Sequence, residues 1–395
     1  MRRCGWSNNK TNMHIVIAPD SFKDSLRAVK AAKHIKNGIE KIFPKAEFTL
    51  IPMADGGEGT VDALVQNRGG IYQNCSTTDP LGRSITARYG IVKDKKLAII
   101  EMAAASGLEL LTTKERNPLK TTSYGTGILI KDALDKGCQN LIIGLGGSAT
   151  VDAGLGAMEA LGMQFFDHNN KPVKTNGQTL ANIYRYDSSQ LDPRLQKTTI
   201  QFASDVTNPL NGNQGAASVF APQKGADNKS TERLKKNLEH ISTIIHSEQN
   251  PALDKDEGTG AAGGFAFPFL ALMERTSIKS GFSIIAAHVN LEETIKKADF
   301  VITGEGKIDD QTGFGKTPVG IAQLAKKWQK PCYAFAGTCG ERLDNLYETG
   351  LSAIIPLSHK PQSLDEAIKN ADKNLERSAE MLARIVYSIY KHTNT

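Results

Sequence analysis

The chain has 395 residues, of which 39% are hydrophobic and 23% are charged, a composition typical of a soluble globular protein with room for two or three domains. The formal net charge is +6, and aromatic residues make up 6% of the chain. Because the basic residues are spread out and are not interleaved with aromatic residues, the sequence gives little support for nucleic-acid binding. The apolar runs are too short to predict a membrane-spanning helix.

The cysteines and the start of the chain indicate a cytoplasmic protein. There are five cysteines, none in a CxxC pair, which predicts neither a disulfide framework nor a zinc site. Residues 1–12 are polar and basic without an apolar core, so they are not typical of a secretory signal. We expect them to form a disordered extension, unless translation begins at Met13.

The first part of the chain predicts two strand–loop–helix units in succession. Residues 14–18 are a short apolar strand followed by the polar loop 19–25, and the next apolar residues recur at helical spacing. Residues 48–51 form a second strand, followed by the loop 52–60 and a helix that begins at Val61. This alternation is typical of a doubly wound parallel sheet, that is, a Rossmann-like α/β domain.

The pattern changes after Gly70, where we place a domain boundary. Residues 71–79, 84–92 and 97–102 alternate in polarity and predict strands joined by short turns, as in a mixed sheet. Further helices and strands follow, and the strand–loop–helix rhythm returns near residue 280.

These patterns predict a first domain that is discontinuous in sequence. Its halves are residues 13–70 and 280–395, and residues 71–279 form a second, mixed-sheet α/β domain inserted between them. The fold class is therefore α/β with two domains, the first built on a parallel sheet.

The stretch 298–318 is the strongest candidate for a binding loop. An apolar strand at 300–303 runs into a polar, glycine-rich loop and then into a helix, and such loops lie at the ligand-binding edge of an open α/β sheet. Glycines allow close approach to an anion, lysines neutralise it, and Asp309 could hold Mg²⁺ or accept a proton. An ordinary connection with a solvated tip would be shorter, so the length favours a ligand site.

A second glycine-rich loop, GLGGSAT at 144–150, has neither P-loop spacing nor a GxGxxG motif. It could still hold phosphate if a helix starts at 148–150 and presents its amide groups, although close helix–strand packing would also explain the small residues. Carboxylates in these loops could supply Mg²⁺ ligands and a base for phosphoryl transfer. The candidates are Asp55, Asp152, Asp205 and Asp309.

Taken together, the loop motifs resemble the bacterial type I glycerate kinase family. They occur in the family's order and extend over nearly the whole chain. The segments are IAPDSFKDS (17–25), PMADGGEGT (52–60), GLGGSATVDAGLG (144–156), SDVTNPLNG (204–212), GTGAAGGF (258–265) and TGEGKIDDQTGFGKTP (303–318). Asp24 departs from the pattern, since many relatives have Gly there.

The resemblance implies an ATP-dependent kinase that phosphorylates D-glycerate, most often to 2-phosphoglycerate, with Mg²⁺ as cofactor. It also implies that the active site lies in the cleft between two α/β domains. A kinase for another small hydroxy acid, or one that forms 3-phosphoglycerate, stays open as an alternative.

Residue roles follow from residue type and loop position within this resemblance. Because a hydroxyl is a poor nucleophile at neutral pH, we expect Asp205 or Asp55 to orient and deprotonate it, with Lys307 acting on the transferring phosphoryl group. The residues predicted to bind glycerate are Ser21, Lys23, Asp55, Gly56, Gly57, Asn208 and Gln311. The residues predicted to bind nucleotide are Gly146, Gly147, Ser148, Ala149, Thr150, Gly304, Glu305, Gly306 and Lys316. Asp205 and Asp309 are the predicted Mg²⁺ ligands.

The sequence disfavours two other classes of function. A binding protein without catalysis is disfavoured because acids and lysines are intact in the loops. An NAD(P)-dependent oxidoreductase is disfavoured because the first strand–helix turn, PDSFKDS, lacks the glycine fingerprint. The sequence leaves open whether the chain forms a homodimer and whether it is regulated.

Overall fold

The computed structural model describes residues 13–247, 249–309 and 316–393. The predicted extension 1–12 and the predicted glycerate ligand Gln311 lie outside these residues. The chain divides into two compact units, of which the first joins the chain up to Asp55 to the residues from Phe282 onwards, and the second is Gly56–Gly281.

The strands, in chain order, are β1 (His14–Ile17), β2 (Glu47–Leu50), β3 (Ile71–Thr78), β4 (Ser84–Val92), β5 (Leu97–Glu101), β6 (Asn140–Gly144), β7 (Gln164–Phe166), β8 (Arg185–Asp187), β9 (Thr199–Ala203), β10 (Thr276–Lys279), β11 (Phe300–Ile308), β12 (Cys332–Cys339) and β13 (Ala353–Pro356). The helices are α1 (Ala28–Glu40), α2 (Thr60–Arg68), α3 (Ala103–Ser106), α4 (Tyr124–Asp135), α5 (Leu155–Ala160), α6 (Ala216–Phe220), α7 (Asn228–Ile244), α8 (Phe267–Leu272), α9 (Gly281–His288), α10 (Leu291–Lys297), α11 (Thr317–Lys327), α12 (Asp344–Glu348), α13 (Leu364–Lys369) and α14 (Ala371–Thr393).

The first unit is built on a parallel sheet with the strand order β13–β12–β11–β1–β2. In the register of the central strands, Ile15 lies opposite both Phe300 and Phe48. Helices α1 and α14 pack together over this sheet through buried residues such as Ile35 and Leu375. The predicted Rossmann-like parallel sheet is confirmed.

The second unit contains a six-stranded sheet with the order β10–β9–β6–β5–β4–β3. Strands β10, β9, β6 and β5 are parallel to one another, whereas β4 is antiparallel to both β5 and β3. Its core includes Phe202, whose ring makes edge contacts with Phe265 and Phe269. A mixed-sheet α/β unit inserted into the first is therefore confirmed.

The chain enters the second unit at Gly56, earlier than the boundary predicted near Gly70. The reason lies in α2, whose first turn donates the amide hydrogens of Gly59 and Val61 to the Glu101 carboxylate at the end of β5. Residues 56–70 therefore group with the inserted unit. The chain returns to the first unit at Phe282, next to the predicted residue 280.

Candidate active site

Asp20 is a buried carboxylate of the first unit, directly beyond the carboxyl end of β1. Its side chain accepts hydrogen bonds from the Ser21 amide (2.6 Å) and from the Thr317 hydroxyl (2.7 Å) at the start of α11. Burial raises the pKa of Asp20 to about 6, and repulsion from the Asp55 carboxylate adds to the rise, while the hydrogen bonds from Thr317 and Ser21 oppose it. With a pKa of about 6, the carboxyl group is mostly ionised at neutral pH and loses its charge in mildly acidic solution.

The loop that follows Asp20 is a tight turn that presents a lysine to solvent. Phe22 is buried and exchanges backbone hydrogen bonds with Leu26, so the residues between them project outward. Lys23 is exposed, and Ser21 is half-buried. Asp24 has a positive φ of 61°, a conformation in which glycine is favoured, which fits the resemblance to a family that often has Gly here.

Asp55 is exposed at the end of the loop that follows β2. The segment before it is held by the Met53 amide, which donates to the Pro19 carbonyl (2.9 Å). This bond ties the β2 loop to the β1 loop, and the Asp55 carboxylate acts on the pKa of Asp20. Asp20, in the β1 loop next to Ser21, is thus within electrostatic reach of the predicted residue Asp55.

The glycines of β11 are explained first by packing. A Cβ atom at Gly304 would lie 2.6 Å from the Phe335 carbonyl oxygen, and one at Gly306 would lie 2.9 Å from the Lys23 amide nitrogen. These positions let β11 run close to β12 and to the β1 loop. Glu305 is half-buried between them on the same strand.

Beyond these glycines, β11 ends in a charged pair. The Lys307 amine lies 2.6 Å from the Asp309 carboxylate, with Lys307 exposed and Asp309 mostly buried. Lys316 is half-buried directly before α11, and Pro318 stands in the first turn of that helix. The predicted cations Lys307 and Lys316 therefore lie on either side of the segment 310–315, which is outside the described residues.

In the second unit, Gly56 and Gly57 lie against the carboxyl ends of β6 and β9. Gly56 has a φ of +90°, and a Cβ atom there would lie 2.9 Å from the Ala203 backbone. A Cβ atom at Gly146 would lie 2.6 Å from the Cα atom of Gly57. The two predicted glycine loops, one assigned to glycerate and one to nucleotide, are therefore in direct contact within this unit.

The expectation of a helix start at 148–150 is wrong, because α5 begins only at Leu155. Ser148 pairs with Gly107 in an isolated β-bridge, and the Ala149 amide donates to the Ser106 carbonyl (2.8 Å). Gly147 has a positive φ of 73° and its carbonyl accepts from the Leu108 amide. Residues 146–150, called the strap below, thus form a turn at Gly146–Gly147 followed by irregular, hydrogen-bonded backbone, and no helix begins there.

Asp152 is fully buried and holds two helix starts together. Its carboxylate accepts hydrogen bonds from the amide and the hydroxyl of Ser123 (2.6 and 2.8 Å) and from the Gly154 amide (3.2 Å). The Ser123 hydroxyl oxygen in turn accepts from the Ala157 amide of α5. Burial raises the pKa of Asp152, and these hydrogen bonds oppose the rise. This arrangement supports a structural role for Asp152 rather than contact with a substrate.

Asp205 is exposed beyond the carboxyl end of β9. One of its carboxylate oxygens accepts a hydrogen bond from the amide of Gly281 (3.1 Å), the first residue of α9. Asn208 is half-buried nearby in sequence and donates its side-chain amide to the Gln214 carbonyl (2.8 Å). The hydrogen bond from Gly281 thus ties the Asp205 side chain, beyond the end of β9, to the start of α9.

Lys224 is the functional candidate that the sequence did not reveal. It is 2% exposed, and its amine donates hydrogen bonds to the Ser148 hydroxyl (2.9 Å) and to the Thr150 carbonyl (2.8 Å). Burial lowers the pKa of Lys224 to about 7, and attraction to Asp152 partly offsets the decrease. A lysine in the polar stretch 212–224 is normally solvated, and only its distant partners distinguish it.

The chemistry of the predicted metal ligands fits Mg²⁺, which prefers carboxylate oxygens and often relies on substrate phosphates for its remaining ligands. Asp205 belongs to the second unit and Asp309 to the first. Within residues 13–247, 249–309 and 316–393, no group of three or more His, Cys, Asp or Glu side chains could hold a metal by itself. A protein-only metal cage is therefore not formed by the described part of the chain.

The model of the glycerate kinase family matches residues 15–387. The chain belongs to the glycerate kinase family. It is 46% identical over 374 residues to the glycerate kinase of Haemophilus influenzae, covering 95% of this chain and 99% of that protein. It is 43% identical to the glycerate 2-kinase of Escherichia coli K12, covering 94% of this chain and 97% of that protein. The resemblance seen in the loop motifs is thereby confirmed.

A solved structure agrees with these relatives. The crystal structure described as glycerate kinase 2 of Salmonella typhimurium LT2 matches with a TM-score of 0.86 and 41% sequence identity, over 96% of this chain and all of that one. Membership of the glycerate kinase family makes this protein an enzyme, a phosphotransferase. In the part of the chain that the structure describes, no helix is both long and apolar enough to cross a lipid bilayer.

Proposed function

We propose that this glycerate kinase transfers the γ-phosphoryl group of ATP to D-glycerate and forms 2-phosphoglycerate, with Mg²⁺ as cofactor. The observation that carries this proposal is the 43% identity, over nearly the full length of both chains, to an E. coli protein named glycerate 2-kinase. The loops after β1, β2, β6, β9 and β11 supply the acids, lysines and close-packed glycines that phosphoryl transfer requires.

The acceptor hydroxyl requires a carboxylate that orients it and takes its proton. Asp205 and Asp55 are suited to this role, because both are exposed at the carboxyl ends of strands and both follow well-fixed backbone. The charge of Asp55 adds to the rise in the pKa of the buried Asp20 carboxyl. The Asp205 carboxylate accepts a hydrogen bond from the Gly281 amide at the start of α9, which holds it in place beyond β9, and Asp205 is our first choice as the base.

The carboxylate of glycerate requires a cation and hydrogen-bond donors. Lys23 and Ser21 stand together on the turn after β1, so one short segment offers both. Gly56, Gly57 and Asn208 are proposed to complete the glycerate contacts, with Gln311 from the segment outside the described residues. Lys307, paired with Asp309, is proposed to stabilise charge on the transferring phosphoryl group.

The nucleotide phosphates are proposed to lie along Gly146–Thr150 and to be contacted also by Gly304–Gly306 and Lys316. Two features support this proposal. The amine of Lys224 is hydrogen-bonded to Ser148 and Thr150 of the strap Gly146–Thr150, and α11 begins directly after Lys316, so amide groups at its N-terminus favour an anion. Asp205 and Asp309 would hold Mg²⁺, which neutralises developing phosphate charge when bound. The cytoplasmic location, the homodimer and the shared cleft stay predictions.

The experiment that tests the proposal measures ADP release from ATP with D-glycerate, with and without Mg²⁺, in the native protein and in Asp205→Asn and Asp55→Asn variants. Loss of the base should lower kcat by about 10²-fold or more with little change in the KM for ATP. Asp94→Asn, at an exposed hairpin tip of the second unit, is the matched control and should leave kcat unchanged. Full turnover in Asp205→Asn would remove that residue as the base, and turnover that ignores Mg²⁺ would remove the metal.

A further inference from the structure

Lys224 is a buried basic group that the proposed chemistry does not use. It follows α6, and its side chain passes beneath the strap Gly146–Thr150, where the amine donates to the Ser148 hydroxyl and the Thr150 carbonyl. Its exposure of 2% places the amine in a water-poor setting. The two partners therefore fix the amine to the one loop assigned to nucleotide phosphates.

Neither hydrogen-bond partner carries a charge that would balance an ammonium group. Asp152 attracts the amine by a Coulombic interaction, while its own carboxylate is engaged with Ser123 and Gly154. From another side, the carbonyl oxygen and Cβ atom of Arg116 lie close to Gly225, the residue after Lys224. A hydroxyl-bearing or apolar side chain in this position would avoid the desolvation free energy that a buried ammonium group costs.

The protonation state of Lys224 is thus sensitive to any new charge at the strap. Burial lowers the pKa of the amine to about 7. Near pH 8, about one tenth of such amines carry a proton. An anion placed a few ångströms away favours the ammonium form, and in a water-poor site this effect is strong.

We propose that Lys224 positions the strap Gly146–Thr150 for the phosphate groups of the nucleotide, and that its amine takes up a proton from solvent when these groups bind. The inference rests on the proposed nucleotide role of the strap. The step is balanced: the neutral amine gains one proton from the buffer, the nucleotide keeps its protonation state, and no covalent bond forms or breaks. Lys224 is a positioning residue, because it acts on the phosphates through Ser148 and Thr150.

The test measures heat on titrating MgATP into the native protein, without glycerate, near pH 8 in buffers with different enthalpies of ionisation. Since the terminal phosphate of ATP has already lost its proton at this pH, proton uptake reports on the protein. We expect uptake of between about half a proton and one proton per nucleotide bound. In Lys224→Met the uptake should disappear, the KM for ATP should rise about tenfold to a hundredfold, and the KM for glycerate should stay within about twofold.

Two further variants separate this role from a structural one. Lys171→Met changes an exposed lysine of the same unit and should preserve both the uptake and the KM for ATP. Lys224→Arg keeps a positive charge that does not titrate, so it should bind ATP better than Lys224→Met while showing no uptake. Thermal denaturation checks that each variant is folded.

The native-protein measurement decides the question even if a variant fails to fold. Binding of MgATP and turnover of D-glycerate without proton uptake would overturn the inference and leave the proposed function intact. Uptake that persists in a folded Lys224→Met variant would also overturn it. No binding of MgATP at all would overturn both the inference and the proposed function.

Discussion

Asp20 in the first unit and Lys224 in the second unit are opposite in charge and alike in setting. Each is buried beside a loop that follows a parallel strand, and each has two neutral hydrogen-bond partners. Burial raises the pKa of Asp20 to about 6 and lowers the pKa of Lys224 to about 7, so both groups are driven towards their neutral forms. Each unit therefore has, next to its candidate loops, a buried ionisable group that lowers the free energy of unfolding when it is charged.

Asp152 shows the contrasting solution. It is also fully buried, but three donors surround its carboxylate and tie two helix starts together. Replacing it should remove structure, whereas replacing Asp20 or Lys224 should relieve a cost. Burial of an ionisable side chain alone thus does not identify a functional group. The number of hydrogen bonds made to the side chain distinguishes Asp152 from Asp20 and Lys224.

The largest effect is expected for Asp152→Ala. The change leaves the amide and hydroxyl of Ser123 and the amide of Gly154 without their acceptor, and should lower the free energy of unfolding by about 3–5 kcal/mol. Urea denaturation measures the loss. Asp167→Ala, which also removes a carboxylate that accepts amide hydrogen bonds but does so in solvent, should have a much smaller effect. Equal effects would show that Asp152 is no more structural than a surface turn residue.

Lys224→Met is expected to stabilise the protein in a pH-dependent way. Below pH 7 the lysine is protonated in both the folded and the unfolded protein, so the native chain bears the full cost of a buried charge. Between about 7 and 10.5 the folded protein binds fewer protons than the unfolded one, and native stability rises with pH. The variant should therefore gain about 1–4 kcal/mol near pH 7 and progressively less towards pH 10. Denaturant titrations at several pH values measure this, and a gain that grows with pH would contradict the account.

Asp20→Asn should show a smaller gain with the opposite pH trend. Below pH 3.8 the carboxyl is neutral in both states, and above about 6 it is charged in both, with the full burial cost. Native stability from this group therefore falls as pH rises between these values. The variant should gain about 1–3 kcal/mol near pH 8 and nothing near pH 3.5, as denaturant titrations at both pH values can measure. A gain that is as large near pH 3.5 as near pH 8 would show that the buried charge of Asp20 is not its source.

The fold could largely be predicted because it depends on local patterns. Short apolar runs identified β1 and β11, and alternating polarity at 84–92 and 97–102 identified β4 and β5. Within the units, the β2 loop contacts the β1 loop, as expected for loops that follow neighbouring strands, and Gly57 contacts Gly146. The boundary near Gly70 differed because the contact of Glu101 with the start of α2 is not local in sequence.

The candidate site was harder to predict because its contacts also join residues that are far apart in the sequence. Lys224 and Ser148 are far apart in the chain, and nothing in the polar stretch around Lys224 announces that its amine is buried. Asp20 stood in a recognised motif, but its raised pKa depends on Thr317 and Asp55 packing around it. The small polar residues at 148–150 are typical of a helix start. In the structure, however, this loop is hydrogen-bonded to the neighbouring segment that contains Ser106.

The product that the purified protein forms from D-glycerate and MgATP, identified by ³¹P NMR and by coupling to enolase, decides whether the proposed reaction is right. We expect 2-phosphoglycerate, detected by both methods. Exclusive formation of 3-phosphoglycerate would contradict the assigned position of transfer. ADP release with another small hydroxy acid, and none with D-glycerate, would contradict the substrate.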